Sequence, residues 1–158
     1  MNNARKNILT ALQTQLLKIN SSYGYTNTVD SVNLGYEQYG SNVQIPTDKL
    51  ICNIHSRDEK FEQPYEDDVS HKSEFVIALE FQFQSTTSDS ITLKAEDIRA
   101  DVIKFIQADS SVSEYLSIDN IAEYERLEMT DYIPVYDFDS HLCITVFIIK
   151  FLITLIKQ

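Results

Sequence analysis

Four residues of this 158-residue chain have the types and rough spacing of a zinc site. Cys52 and His55 stand three apart, and His141 and Cys143 stand two apart, which on paper makes a Cys2His2 set. Both pairs fall in stretches that read as strands. In a strand, i and i+2 share a face, whereas i and i+3 do not. The spacing therefore sends Cys52 and His55 to opposite faces, and the expectation is two small buried core thiols beside two ordinary histidines. No metal is expected.

Other chemistry fares no better. There is no G-x-S-x-G elbow, and neither cysteine sits at a helix start that would lower its pKa. Carboxylates pair at Asp67–Asp68, Glu96–Asp97 and Asp137–Asp139, and only the last pair has same-face spacing. A two-carboxylate hydrolase or a magnesium nuclease needs such pairs to converge in a pocket. Neither a P-loop nor a G-x-G-x-x-G is present, and the aromatics are not interleaved with a basic patch. The residues point to no enzyme and no cofactor.

The elements that would position any site are organised around residues 72–108. In KSEFVIALEFQFQS, Phe75, Ile77, Leu79, Phe81 and Phe83 alternate with Glu74, Val76, Ala78, Glu80 and Gln82. That period of two predicts a strand with one buried face. In LKAEDIRADVIKFIQAD, Ala95, Ile98, Val102, Phe105 and Ile106 share a helical face, while Glu96, Asp97, Asp101, Lys104 and Gln107 lie away from it. A helix laid on the apolar face of a strand seeds an α+β layer.

The remaining segments add to that seed. Ile8, Leu9, Leu12, Leu16 and Ile19 predict a helix over about 4–19, with Leu17 on its opposite side as a second contact or a single exposed leucine. A short strand is expected within Tyr25–Leu34, with a turn at Gly35 or Gly40. A strand follows at 50–56. The polar, acidic stretch 57–71 reads as a loop between two antiparallel strands, projecting as an arm. Residues 120–129 are ambiguous between helix and strand, and strand is favoured. Residues 131–141 read as a loop or hairpin turn around Pro134. The last strand, 141–155, is apolar on both faces, so it is expected at the centre of the sheet or covered on both sides. The predicted fold is one α+β domain over 1–158: a mostly antiparallel sheet of four to five strands with two main helices on one face and an acidic arm at about 57–71.

Composition narrows the function classes. Thirteen basic and 24 acidic residues give a net charge of −11, which repels phosphate and argues against sequence-specific nucleic-acid binding. The charge is uneven. Residues 1–20 carry Arg5, Lys6 and Lys18 and no acid, whereas residues 114–139 carry eight acids and only Arg126. The asymmetry is either plain solvation or a means for copies to meet head to tail. The N-terminus lacks the pattern of a signal peptide. The apolar run Leu142–Ile156 is too short for a membrane anchor and holds Lys150. Two cysteines make no disulfide framework, so free thiols are expected.

The order helix, strands, acidic arm, long strand, amphipathic helix, strand, closing strand resembles the tail terminator proteins of long-tailed phages, also called minor tail or tail-completion proteins. The segments that carry the resemblance are ILTALQTQLLKI, LICNIHS, RDEKFEQPYEDD, EFVIALEFQF, AEDIRADVIKFIQAD and LCITVFIIKF, which span roughly 4–155. The resemblance implies a structural virion protein without enzymatic activity. It would form a six-fold homo-oligomeric ring that caps the tail tube at its head-proximal end. Its partners would be tube protein and a head–neck or connector protein, and it would assemble in the host cytoplasm. A head–neck connector, another tail-completion protein or a non-viral acidic protein-binding module are the alternatives. On the leading reading, the subunit interface draws on Arg5, Lys6, Asp67, Asp68, Phe151, Ile153 and Leu155. The charged residues would orient neighbours and the apolar ones would supply most of the association energy.

Overall fold

In chain order the elements are α1 (Ala4–Leu16), a 3-10 turn at Ser21–Tyr23, β1 (Val29–Leu34), β2 (Leu50–Phe61), β3 (Ser70–Gln84), α2 (Ile91–Gln107), β4 (Ala122–Asp137) and β5 (Leu142–Ile156). They come from a computed structural model that describes residues 4–35, 46–61, 70–87, 90–107 and 122–156. The five strands make one sheet in the order β1-β2-β3-β5-β4. β1 and β2 run parallel, and every other neighbouring pair is antiparallel. The fold is α+β, as the alternation of periods predicts.

One face of the sheet carries the core. Phe75, Ile77, Leu79 and Phe81 of β3 are buried, as are Phe151, Ile149, Phe147 and Thr145, their respective cross-strand partners on β5, and Cys143 beyond them. Both helices close this face. Ile8, Leu12 and Leu16 of α1 and Ile91, Ala95, Ile98, Val102 and Phe105 of α2 join the same buried cluster. Phe75 stacks on Phe151 with ring centres 5.0 Å apart, and Phe81 meets Phe147 edge to face at 5.7 Å. Burial of each such side chain is worth about 1.5–3 kcal/mol, so these rings are among the larger contributors to stability. The predicted inward row of β3 is thus the core row, except that Phe83 is only partly buried at the rim.

β5 has a strand on each side, pairing with β3 from Ser70↔Ile156 to Gln84↔Leu142 and with β4 from Ala122↔Leu155 to Asp137↔Leu142. Its apolar character on both faces therefore matches a central position.

Four expectations are corrected. The stretch 57–71 is not all loop: β2 continues to Phe61 and β3 begins at Ser70, with Phe61 opposite Ser73 across a bulge near Ser56–Glu59. Residues 131–137 are not a turn around Pro134, because β4 runs through that proline to Asp137. β4 is an edge strand, the place in a sheet where proline is tolerated. The turn lies at 138–141 instead. There the Asp137 carboxylate accepts the Asp139 and Ser140 N–H groups at 3.2 and 3.3 Å, and His141 takes a positive φ of 53°. The N-terminal helix stops at Leu16 rather than running to 19, although Ile19 still packs into the core. Finally, Asp101 does not face solvent: it is buried on α2.

Residues 122–129 are strand, and the structure shows why their sequence reads two ways. The register of β4 slips between Tyr124 and Arg126 and again between Met129 and Asp131. Each slip inserts one residue and resets the alternation, so no single period of two runs through the segment.

Candidate functional site

The residues that suggested metal or catalytic chemistry are dispersed. Cys52 and Cys143 are free and buried on the core face. Burial, with the Glu80 charge adding to it, pushes the Cys52 thiol well above its ordinary value. Burial pushes Cys143 up to about 11. Raised thiols are poor nucleophiles and poor ligands at neutral pH. His55 lies on the opposite face, opposite Ala78, with its Nε2 3.8 Å from Glu80. His141 is exposed in the β4–β5 turn. Among the described residues, no three His, Cys, Asp or Glu side chains gather to hold a metal ion.

The carboxylates have structural duties or face water. Asp137 closes the hairpin turn, also accepting the Ser140 hydroxyl at 3.0 Å. Glu96 and Asp97 are exposed on α2. Asp67 and Asp68 lie outside the described residues.

A cleft of about 190 Å³ opens at the start of α2, between Asp48, Phe83, Ser85, Thr87, Ser90 and Lys94. Its polar groups serve one another or the adjoining turns. The Asp48 carboxylate accepts the Thr86 hydroxyl and, second to it, the Thr86 N–H at 3.1 Å, which hold its pKa below the usual carboxylate range. Ser85 and Thr87 hydroxyls bond at 2.9 Å. Ser90 Oγ accepts the Leu93 N–H at 3.3 Å. Lys94 Nζ sits 4.4 Å from the centre of the Phe83 ring and donates to Asn27 Oδ1.

The most connected polar cluster is a clamp that the sequence did not announce. Asp101 accepts three bonds from the turn before β1: Thr26 N–H at 3.0 Å, Asn27 N–H at 2.7 Å and the Asn27 amide at 2.8 Å. Lys94, two turns earlier on α2, holds the other end of that amide. Lys104 donates to the Gly24 carbonyl at 2.7 Å and lies 4.9 Å from the Tyr25 ring centre. Burial, then the Asp101 charge, raises the Tyr25 pKa. The clamp fixes the entry to β1 against α2. The i, i+7 spacing of Lys94 and Asp101 is the sequence signal that could have disclosed it, since such residues share one helical face.

The expected interface residues divide. Arg5 is engaged within its own chain: its Nε donates to Ser56 Oγ at 3.0 Å, its Nη2 reaches Ser56 Oγ and the Arg57 carbonyl, and the guanidinium lies 5.8 Å from the Phe75 ring centre. Lys6 is exposed. Phe151 is buried against Phe75, so its apolar surface already serves the subunit's own core. Ile153 and Leu155 have paired backbones on both sides, opposite Ser73 and His71 of β3 and Tyr124 and Ala122 of β4. β5 thus closes its own sheet.

Among the described residues, α1 and β4 each carry exposed side chains at one edge of the sheet. α1 borders the sheet at β1, where Gln13 Nε2 donates to the Val32 carbonyl at 3.1 Å. Lys6 and Thr10 are exposed on α1, and Leu17 and Lys18 in the turn that follows it, with no acid among them. At the other edge, β4 presents Asp131, Ile133, Val135 and Asp137 on the face away from the helices. Ile133 and Val135 are 49% and 50% exposed, unusual for branched aliphatics in a strand. The strand order puts these surfaces at opposite ends of the subunit.

Among the described residues, no helix is long and apolar enough to cross a membrane. No protein-family model matches the chain, and no curated protein matches it.

Proposed function

We propose that this chain is a structural virion protein, a tail terminator of a long-tailed phage, acting through ring assembly and not through catalysis. The observation that carries the proposal is the placement of unlike surfaces at opposite ends of one sheet, basic α1 beside β1 and acidic β4 at the far edge. Unlike ends favour head-to-tail contacts, and head-to-tail contacts close into rings when the rotation per subunit allows it. An acidic ring lumen would also let DNA pass without sticking, because like charges repel. In this role the sheet and helices form a rigid body, ring formation stops tube polymerisation, and the exposed ring face receives a head or neck protein.

The test is the mass of the purified protein in solution, with negative-stain images, alone and with tail tube protein. The terminator reading expects rings with an open centre, or rings that form when tube tips are supplied. A chain that stays monomeric and neither binds tube tips nor limits tube length sinks it. Binding to portal or adaptor protein in place of tube protein would move the chain to the head–neck side of the same assembly.

A further inference from the structure

We infer that Pro134 guards the outer edge of β4 against a strand from a second copy, so that copies of this chain meet through side chains and not by extending one another's sheet. The inference does not depend on the ring reading. It says which kind of contact any assembly of this chain leaves out.

Backbone direction carries the argument. In an antiparallel ladder the N–H and C=O of one residue point to the same neighbour, and those of the next residue point to the other side. The Gln84 carbonyl turns toward the β2 side, where it accepts the Asp48 N–H at 2.7 Å. The Ser85 N–H turns the other way, to the His141 carbonyl at 2.9 Å. Along β5, Cys143 and Thr145 therefore address β3, and Leu142, Ile144, Val146 and Ile148 address β4. The Ile148 carbonyl agrees, because it accepts the Thr130 hydroxyl of β4 at 3.4 Å. Ile133, Val135 and Asp137, opposite Val146, Ile144 and Leu142, thus direct their backbone groups to β5. Tyr132, Pro134 and Tyr136 turn theirs outward.

That outer row is accessible. Thr130, Asp131, Ile133, Pro134 and Val135 are exposed, and among the described residues no strand lies beyond β4. A bare edge is a template for another strand. An incoming strand needs donors and acceptors at alternate residues, here 132, 134 and 136. Pro134 has no N–H, and its ring fills the place where the bond would form. It stands in the middle of 131–137, the regular run between the second register slip and the turn that Asp137 closes. The slips interrupt the edge further back along the strand. The opposite edge is closed in another way. The Gly35 N–H addresses β2 through the Ile54 carbonyl at 2.9 Å, so alternation turns Val32 outward, and the Gln13 amide of α1 takes the Val32 carbonyl at 3.1 Å. One edge is covered by a side chain and the other is interrupted by a proline.

Amide exchange and substitution test the inference. In the native protein the amides of Ile133 and Val135 are expected to exchange many-fold more slowly than those of Tyr132 and Tyr136. Equal protection of all four would overturn the assignment of direction. Pro134→Val restores the outward donor with a residue that favours strands. It is expected to keep the native fold by near-ultraviolet circular dichroism and to associate, by light scattering, at a concentration several-fold below wild type. Tyr132 and Tyr136 are expected to gain protection as it does so. Pro134→Ala, with the donor but less strand preference, is expected to fall between the two. Association of the folded variants no stronger than wild type overturns the inference, and so does association without new protection, which places the contact elsewhere. Unfolding of both variants also overturns it, since the proline would then be a support of the monomer. Moving the proline by one residue, Pro134→Val with Val135→Pro, aims it at β5 and is expected to lower the urea midpoint sharply. An unchanged midpoint counts against the direction assigned. Wild-type protein is the baseline of every comparison, so rings that it forms through other contacts leave the inference standing, and tube-tip binding judges the terminator reading separately.

Discussion

Asp101 grips Asn27 at two points, its Oδ2 lying 2.7 Å from the backbone nitrogen and 2.8 Å from the side-chain amide. The pair joins α2 to the entry of β1 across 74 residues of sequence. Both partners are buried, so neither can exchange its bonds for water when the other is removed.

Asp101→Ala is accordingly expected to destabilise the fold by roughly 3 kcal/mol, the scale for hydrogen bonds to a buried charge. Asp101→Asn, which keeps one acceptor, is expected to lose less. Urea denaturation at constant m-value checks both. Lys94→Met is expected to cost about 1 kcal/mol, and the double variant is expected to be less than additive, because both residues hold Asn27.

Thr145 offers the opposite sign. It is buried near the start of β5, and its hydroxyl has no hydrogen-bond partner. Thr145→Val keeps the shape and removes the orphaned group, so stability is expected to hold or rise by up to about 1 kcal/mol. A lowered urea midpoint would show that the hydroxyl has a partner after all.

Phe151→Ala is expected to cost about 3–5 kcal/mol through the cavity left beside Phe75. Ile133→Ser, at an exposed site, is expected to leave monomer stability within about 0.5 kcal/mol and to lower association. Thermal melts and light scattering on the two proteins separate core from contact surface.

The cysteines give a pH expectation. A thiol whose folded pKa is raised holds its proton more tightly folded than unfolded. Its contribution is therefore complete below the unfolded thiol value and is lost as pH rises through the folded one. For Cys143 that window runs from its ordinary value near 9 to about 11. Tyr132, pushed up to about 12 by burial first and then by Glu96, extends the loss upward. Stability is expected to fall above about pH 9. Thiol reagents at neutral pH are expected to label the cysteines only on unfolding. Rapid labelling of the native protein would contradict the burial.

The core rows of β3 and α2 were legible because each keeps one period throughout, and the centrality of β5 was legible in its two apolar faces. β4 was obscured because its bulges reset the alternation and because Pro134 ordinarily signals a break, whereas an edge strand can carry it. Arg5 and Phe151 looked available for contacts between copies because sequence gives no tertiary distance. One is committed to Ser56 and the other to Phe75. Asp101 was placed with the solvent-facing acids because helical position alone does not reveal a turn folded over it. The acidic strip on β4 was visible as charge, but its placement opposite α1 depends on strand order, which no local pattern encodes.

The position of β5 between β3 and β4 also sets a timetable. During synthesis β3 and β4 emerge first, yet they are not neighbours and have no ladder to form with each other. The sheet waits for the strand beginning at Leu142, which must enter between them and complete two ladders at once. Until then each nascent chain exposes two bare edges and an aromatic row, and crowded nascent copies are at their most vulnerable to capture by one another.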